Sequence, residues 1–517
     1  MNVLCRDGFV PRHDEFDKMN IKRYLTNLDS FIFACIGFYA IYLYTSYSGV
    51  GLSPDSLMYA SAADSFHAHG NFMTFNKTPI TFFPVFYPFF LGVIEFFSRV
   101  NPVQAGSMIN CFLFAGVVFT TGWIMERFMS HSRIYKWIIL AAIILSPAML
   151  EIYSFLWSET LFILEILLFI VAYWKYTHGH TLKALIITAV ITAIACITRY
   201  AGITIVGTGC LLILLDYELP IRKKIEHLLL YGAISISLLT ANLVYNSTVT
   251  GLSTGTREPS ITPFSQNLFR VGTVINDWGA LSDKADAFAI LVTCIIMLSL
   301  IGVLAWKTFK RRINSYENVV IGFAVVYGSF MIILATFSRF EPINSRLLSP
   351  MFIPLLISCT SWVPDVLRLV HSKTLKYLLA GIAIAAMLLF EYSTALVDYQ
   401  RYDDENDYGV PGYSDDSWNQ SQFAPYLRKH KNEFDPNIPI YSDANEAVWL
   451  FTGLSSQLVP HSFFQKDVDK FYMQKKFYLI WFDSLYNKEL ISIKDIMAHK
   501  KVTKIGGAKE GEVYLCE

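Results

Sequence analysis

The sequence predicts an all-α polytopic membrane protein of about 11 transmembrane helices, followed by a small C-terminal α/β domain outside the membrane. Of its 517 residues, 54% are hydrophobic and only 16% are charged, whereas about a quarter of the residues in soluble domains are charged. Residues 396–517, by contrast, are polar and rich in Tyr and Asp. Lys and Arg together number 42, as do Asp and Glu, so the net charge indicates no class of partner. The sequence has no basic stripe typical of nucleic-acid binding.

The membrane part contains a series of apolar runs, each with the composition of a helix that crosses or lies on a membrane. They lie near 30–48, 82–97, 103–125, 134–150, 156–174, 182–198, 200–215, 227–245, 286–306, 318–337, 346–363 and 375–395. The run at 82–97 contains Pro84, Pro88 and Glu95. We expect this run to form an interfacial or re-entrant helix, and the other runs to cross.

The distribution of basic residues predicts the orientation. If the N-terminal tail 1–29 is cytoplasmic and run 82–97 does not cross, the tail and the inner loops together hold more than twice as many Lys and Arg residues as the outer loops. The transmembrane domain then covers 30–395, with long outer loops at 49–102 and 246–285. The C-terminal domain, 396–517, lies outside. These features predict a multi-pass protein of the cell (inner) membrane, in contact with membrane lipid.

The C-terminal domain shows mixed secondary-structure patterns. Ile438–Tyr441 and Phe477–Phe482 have the apolar character of strands. Asn445–Thr452 has a helical pattern, and Asp443 precedes it as a candidate N-cap. A terminal hairpin is expected around Gly506–Gly507.

Two carboxylates stand at the predicted outer ends of helices. Asp55 follows Pro54 in the first outer loop, where it could accept a proton, bind a metal ion or cap a helix. Glu159 opens the span after Trp157 and is either an ordinary interfacial residue or a partner of Asp55. Together they could act as a base with an orienting acid, or as ligands of a divalent metal ion. No CxxC or Cys/His cluster suggests zinc.

Two arginines also stand at outer helix ends. Arg199 lies between two spans, and Arg346 lies at the start of a late one. Each either reaches toward lipid headgroups or binds phosphate with its planar guanidinium. Arg339 and Glu341 make the segment before Arg346 densely polar. Three further candidates for a substrate cleft come from the first outer loop, namely Tyr59, Lys77 and Tyr87.

The order of these motifs resembles that of the GT-C superfamily of membrane glycosyltransferases, and in particular its protein mannosyltransferase and aminoarabinose–lipid A transferase group. The resemblance rests on residues 54–59 (PDSLMY), 83–88 (FPVFYP), 157–160 (WSET), 345–350 (SRLLSP) and 440–453 (IYSDANEAVWLFTG). Three features depart from the family pattern. Asp55 stands without a neighbouring acid, Phe82 and Phe83 replace a His, and Glu159 stands where Asp is frequent.

The resemblance implies a GT-C-like fold and the transfer of a hexose or pentose from a polyprenyl-phosphate donor to a hydroxyl of a lipid, glycan or protein, with inversion. Asp55 would be the base, Arg346 and Arg199 would bind the donor phosphate, and Glu159 would orient these groups or bind a metal ion. Two other functions fit the sequence: a sugar or lipid transporter or flippase, and a glycan ligase or polymerase that uses a polyprenyl-diphosphate donor.

Overall fold

The computed structural model describes residues 27–128, 132–255, 259–339, 341–483 and 487–517. The predicted cytoplasmic tail, 1–29, lies outside the described residues as far as residue 26. The described residues form a largely helical body, which carries the predicted membrane part, and a small C-terminal sheet.

The body is a series of helices, several of which start after a Ser, Thr or Asn N-cap or at a Pro. They are α1 (Leu28–Tyr44), α2 (Pro54–His69), α3 (Phe86–Ser98), α4 (Pro102–Met125), α5 (Arg133–Ile144), α6 (Pro147–Ser154), α7 (Glu159–Gly179), α8 (Leu182–Thr198), α9 (Ile203–Leu215), α10 (Ile221–Thr250), α11 (Phe264–Trp278), α12 (Ala289–Phe309), α13 (Tyr316–Phe337), α14 (Ser345–Leu348), α15 (Phe352–Thr360), α16 (Val363–Leu369) and α17 (Lys373–Tyr408). Helix α17 continues past the predicted domain boundary at 395. The predicted apolar runs all fall on helices of this series.

Within the described residues, six helices are long and apolar enough to cross a membrane, or seven if the bent pair α5–α6 counts as one span. The six begin at Pro102, Glu159, Ile221, Asp283, Tyr316 and Lys373. Five shorter apolar helices account for the other runs. By length and composition, therefore, fewer helices qualify than the eleven crossings predicted. The interfacial candidate α3 has 13 residues and is about 20 Å long, well short of the hydrocarbon core of about 30 Å.

The C-terminal domain is a five-stranded mixed sheet with helices around it. The strands are β1 (Ile440–Ser442), β2 (Gln457–Leu458), β3 (Phe477–Phe482), β4 (Val502–Ala508) and β5 (Gly511–Cys516), in the order β2-β1-β3-β5-β4. The helices are α18 (Asp416–Asn419), α19 (Phe423–His430), α20 (Asn445–Thr452), α21 (Gln465–Tyr472) and α22 (Ile493–His499). Strand β1 is parallel to β2 and β3, and β5 is antiparallel to β3 and β4.

The sequence expectations for this domain mostly match the structure, with one error. The β3 strand, the α20 helix and the terminal β4–β5 hairpin occur where the patterns predict them. Asp443, however, does not cap α20, which begins at Asn445 and has Ala444 as its N-cap, without a side-chain cap. Its carboxylate instead accepts a hydrogen bond from the Phe482 backbone N–H at 3.0 Å. This bond ties the Asp443 side chain to β3.

A backbone contact at Gly51 fixes the first outer loop against the start of α7. Gly51 N–H donates to the Ser154 carbonyl at 2.8 Å, and Leu156 N–H donates to the Gly51 carbonyl at 3.2 Å. A Cβ at position 51 would lie 2.7 Å from the Phe155 ring and 2.6 Å from Val410. Only glycine therefore allows the loop to approach this closely. The contact brings the start of α2 next to the start of α7.

Candidate active site

Two arginines and two carboxylates from four separate segments form one ion-pair cluster. Arg346 donates from Nη2 to Asp55 Oδ2 at 2.6 Å and from Nε to Glu159 Oε1 at 2.7 Å. Arg199 Nη1 lies 2.6 Å from Glu159 Oε2. The Glu159 side chain is fully buried, whereas those of Arg346, Arg199 and Asp55 are 13%, 17% and 26% exposed. Asp55 is therefore the member of the cluster that an incoming molecule reaches most easily.

Asp55 is placed by the start of α2. Pro54 is the first residue of this helix, and Ser53 is its N-cap. The side chains of Ser53 and Ser56 bond each other's backbone N–H in a capping box. Since this capping box supplies the cap, the alternative role of Asp55 as a helix cap is wrong. The Asp55 carboxylate is left to bind Arg346.

Trp157 and Glu159 form the floor of the cluster. The guanidinium of Arg346 lies 4.1 Å from the centre of the Trp157 ring, a cation–π contact. The indole Nε1 donates to Ser53 Oγ at 2.7 Å, which ties the floor to the cap of α2. Because Glu159 is fully buried under two arginines, its alternative role as an ordinary interfacial residue is wrong.

Arg346 is positioned by hydrogen bonds to its own short helix. Asn344 caps α14 by accepting from Leu347 N–H at 2.9 Å. Trp278 Nε1 donates to Ser345 Oγ at 2.9 Å, and Tyr327 OH donates to the Leu347 carbonyl at 2.8 Å. The backbone on both sides of Arg346 is therefore anchored, which directs its side chain toward Asp55 and Glu159.

Ser158 is a site residue that was not singled out from the sequence. Its Oγ accepts from Arg199 Nη1 at 2.7 Å and lies 3.1 Å from Tyr59 OH. The Tyr59 ring packs against Phe83 and Tyr87, with ring centres 4.9 and 5.1 Å apart. Ser158 lies between Trp157 and Glu159 in the sequence, and that position is the signal that could have identified it.

The cluster opens into a cavity of about 220 Å³. Asp55, Tyr59, Arg199, Glu341 and Arg346 all line it. Burial raises the pKa of the Glu341 carboxyl, while nearby Arg346 opposes this shift. An apolar wall, which includes Phe82, Phe83, Met331 and Leu334, completes the cavity. The site thus combines two cations and several acids with an apolar surface.

The remaining predicted cleft residues occupy different places. Tyr87 is fully buried and supports the Tyr59 ring. Arg339 lines a neighbouring groove and stacks on Phe463. Lys77 is exposed at a turn, with φ of 60°, and is not among the residues that line the cavity.

The cluster does not suit the predicted metal ion. Both oxygens of Glu159 are bound to guanidinium groups, and one oxygen of Asp55 is bound to Arg346. Two fixed cations within 2.7 Å of these carboxylates would repel a divalent ion. Among the described residues, the one group of three potential ligands lies elsewhere, at His180, Asp216 and Glu218.

The fold is similar to those of two solved membrane-enzyme structures of distant sequence. ArnT from Cupriavidus metallidurans, solved with undecaprenyl phosphate, superposes with a TM-score of 0.56 at 12% identity, over 94% of this chain and 97% of that chain. The oligosaccharyltransferase AglB from Archaeoglobus fulgidus, solved with an inhibitory peptide and a dolichol-phosphate, gives 0.52 at 12% identity, over 89% and 70%. No protein-family model and no curated protein sequence matches the chain. The predicted resemblance is confirmed for the fold.

Proposed function

We propose that this protein is an integral membrane glycosyltransferase that moves a sugar from a polyprenyl-phosphate donor to an acceptor hydroxyl on the outer face of the membrane. The observation that carries the proposal is the placement of Arg346 between Asp55 and Glu159 in a cavity that also has an apolar wall. A base, a phosphate-binding cation and a lipid-compatible surface therefore meet at one point. The fold shared with ArnT and AglB supports this function, as does the lipid phosphate bound in each of those structures.

The proposed reaction is a single displacement at the anomeric carbon. Asp55 binds Arg346 through Oδ2, and its Oδ1 takes the proton of the acceptor hydroxyl. The acceptor oxygen then forms a bond to the anomeric carbon as the bond to the phosphate oxygen breaks. The electron pair leaves with the phosphate, and one displacement inverts the configuration. The donor is a hexose or a pentose, and the acceptor hydroxyl belongs to a lipid, glycan or protein.

Arg346 and Arg199 stabilise the departing phosphate. Glu159 binds both guanidinium groups from below, so their positions are fixed before the charge on the phosphate develops. Such preorganised charges are among the largest contributors to catalysis. Glu159 is therefore a positioning residue, and the mechanism needs no metal ion.

The proposed setting is the cell (inner) membrane, with the tail 1–29 in the cytoplasm, the membrane domain at 30–395 and the domain 396–517 outside. Helix α20 of the C-terminal domain contacts α2, and Trp449 on α20 stacks on Phe75, in the segment that follows α2, with ring centres 5.6 Å apart. This contact supports a site covered by the C-terminal domain. The positive-inside rule supports the orientation.

The test is release of free polyprenyl phosphate by detergent-purified protein from a panel of polyprenyl-phosphate sugars at pH 7. We expect Asp55→Asn to reduce release by about 100-fold or more, the usual scale for loss of a general base. We expect EDTA to leave the wild-type rate unchanged, because Glu159 has no free oxygen for a metal ion.

Asp64→Asn is the matched control, because Asp64 lies on the same helix and is not among the residues that line the cavity. Equal release by wild type and folded Asp55→Asn would refute the mechanism. Loss of release with EDTA would refute its metal independence. Release only from diphosphate-linked donors would assign the protein to the ligase and polymerase class.

A further inference from the structure

A large groove lies between the C-terminal sheet and the segment that leads to Arg346. Its volume is about 930 Å³, near the upper end of the usual range for small-molecule sites, about 300–1,000 Å³. One wall comes from β1, β2 and α21 of the C-terminal domain, and the other contains Arg339, Glu341 and Pro342. The groove is thus built by both domains.

The groove and the cavity of the ion-pair cluster share two lining residues, Phe82 and Glu341. Glu341 is five residues before Arg346, which binds Asp55 directly. The groove and the cavity of the cluster therefore adjoin at Phe82 and Glu341. In the proposed reaction, this is the side from which a polar acceptor can reach Asp55 without passing through lipid.

The charges of the groove are already paired within it. Arg339 Nη2 lies 3.4 Å from Glu489 Oε1, and Lys470 Nζ lies 3.8 Å from Asp467 Oδ1. Burial lowers the pKa of His461, which favours its neutral form. Glu341 is a third carboxylate in the groove, beside those of Glu489 and Asp467. The groove therefore contains no excess of cations that would attract a phosphorylated or otherwise polyanionic molecule.

Aromatic faces line the same groove. Phe463 and Phe464 pack together with ring centres 4.6 Å apart, and Phe463 is 39% exposed. The guanidinium of Arg339 covers the Phe463 ring at 4.1 Å. Gln457 and Gln474 add exposed amide groups at the rim. Sugar rings present C–H faces that pack on aromatic rings and hydroxyls that bond amides and paired charges.

We infer that this groove binds the acceptor, and that the acceptor is an uncharged glycan. The inference rests on the proposed transferase function and deepens it. The sugar units of the acceptor pack against Phe463 and Phe464, while its terminal hydroxyl extends past Glu341 to Asp55. The pairing of Arg339 and Lys470 with carboxylates disfavours acceptors that carry phosphate groups.

The test is direct binding of detergent-purified protein to an array of neutral hexose and N-acetylhexosamine oligosaccharides, printed beside the same glycans bearing phosphate. We expect binding to neutral glycans that weakens about tenfold in Phe463→Ala and in Phe464→Ala. Ile505→Ala is the control, because Ile505 is half exposed on β4, at the opposite edge of the sheet from β2.

Asp55→Asn separates this inference from the proposed function. We expect it to bind glycans like the wild type, because Asp55 lines the smaller cavity and is not among the residues that line the groove. Tighter binding of phosphorylated glycans than of neutral ones would overturn the inference, and so would binding to no glycan. It would also be overturned if Phe463→Ala and Phe464→Ala bound neutral glycans as tightly as the wild type does. Glycan binding by a protein that releases no polyprenyl phosphate would instead contradict the proposed function.

Discussion

At the scale of single residues, the site depends on how Glu159 divides its two oxygens. One binds Arg346 and the other binds Arg199, and the carboxylate is fully buried. Removing one charge from a buried network leaves the remaining charges uncompensated. Asp55, at 26% exposed, can lose its charge at lower cost, because water reaches it. The same cluster thus contains one residue fixed by burial and one accessible to substrate.

This difference predicts that two isosteric changes affect different properties, the stability of the protein for Glu159→Gln and its activity for Asp55→Asn. We expect Glu159→Gln to lower the free energy of unfolding by about 3–5 kcal/mol, because two buried guanidinium groups lose their counter-charge. We expect Asp55→Asn to change stability much less while reducing release of polyprenyl phosphate by about 100-fold or more. Thermal unfolding in detergent, followed by the loss of monodisperse protein, measures the stability of both variants. The release assay measures the activity of Asp55→Asn.

Glu226→Gln is the control for Glu159→Gln, because Glu226 forms an exposed pair with Arg222 on α10. Exposed pairs of this kind contribute little to stability, so its midpoint should match that of the wild type. A Glu159→Gln midpoint equal to the wild-type value would show that the cluster does not depend on this carboxylate.

At the scale of elements, α2 and α3 pack as one unit beside the site through an acidic contact. Asp64 on α2 accepts from Asn101 Nδ2 at 3.0 Å. Burial, together with the nearby carboxylate of Glu95 on α3, raises the pKa of Asp64 to about 7. His67 Nδ1 lies 3.1 Å from Glu95 Oε1 and partly offsets this repulsion. The contact between the two helices is therefore sensitive to pH.

This pKa predicts how stability changes with pH. Because the folded-state pKa is raised above the ordinary 3.8, the folded protein holds a proton that the unfolded chain has lost. The contribution of Asp64 to stability is complete below about pH 3.8 and is lost as pH rises to about 7. We expect Asp64→Asn to be more stable than the wild type at pH 8, with the two converging at low pH. Unfolding midpoints between pH 4 and 8 measure this, and parallel curves would contradict it.

At the scale of the whole molecule, the sequence predicts elements better than it predicts their partners. The apolar runs and the β3 and α20 patterns are local signals, and each gave an element in the expected place. Asp55, Glu159, Arg199 and Arg346 were recognisable because charged groups beside apolar helices are conspicuous. The ion pairs between the two arginines and the two carboxylates were not, since they depend on the Gly51 contact and on the distances between four segments. The exposed turn at Lys77, which is not among the residues that line the cavity, is likewise not visible in its residue type.

The lengths of the helices do not fix how many of them cross the membrane, and fusion reporters can measure this number. Eleven crossings place the two ends of the chain on opposite sides, and this parity depends on α3 not crossing. We expect alkaline phosphatase fused after Gly49, after Val100 or after Glu517 to be active, because all three positions would lie outside. Fused after Arg311, it should be inactive, and green fluorescent protein at that position should fluoresce. An inactive phosphatase at Val100 beside an active one at Gly49 would show that α3 crosses. Fluorescence of green fluorescent protein fused after Glu517 would place the C-terminal domain, and the site it covers, on the cytoplasmic face.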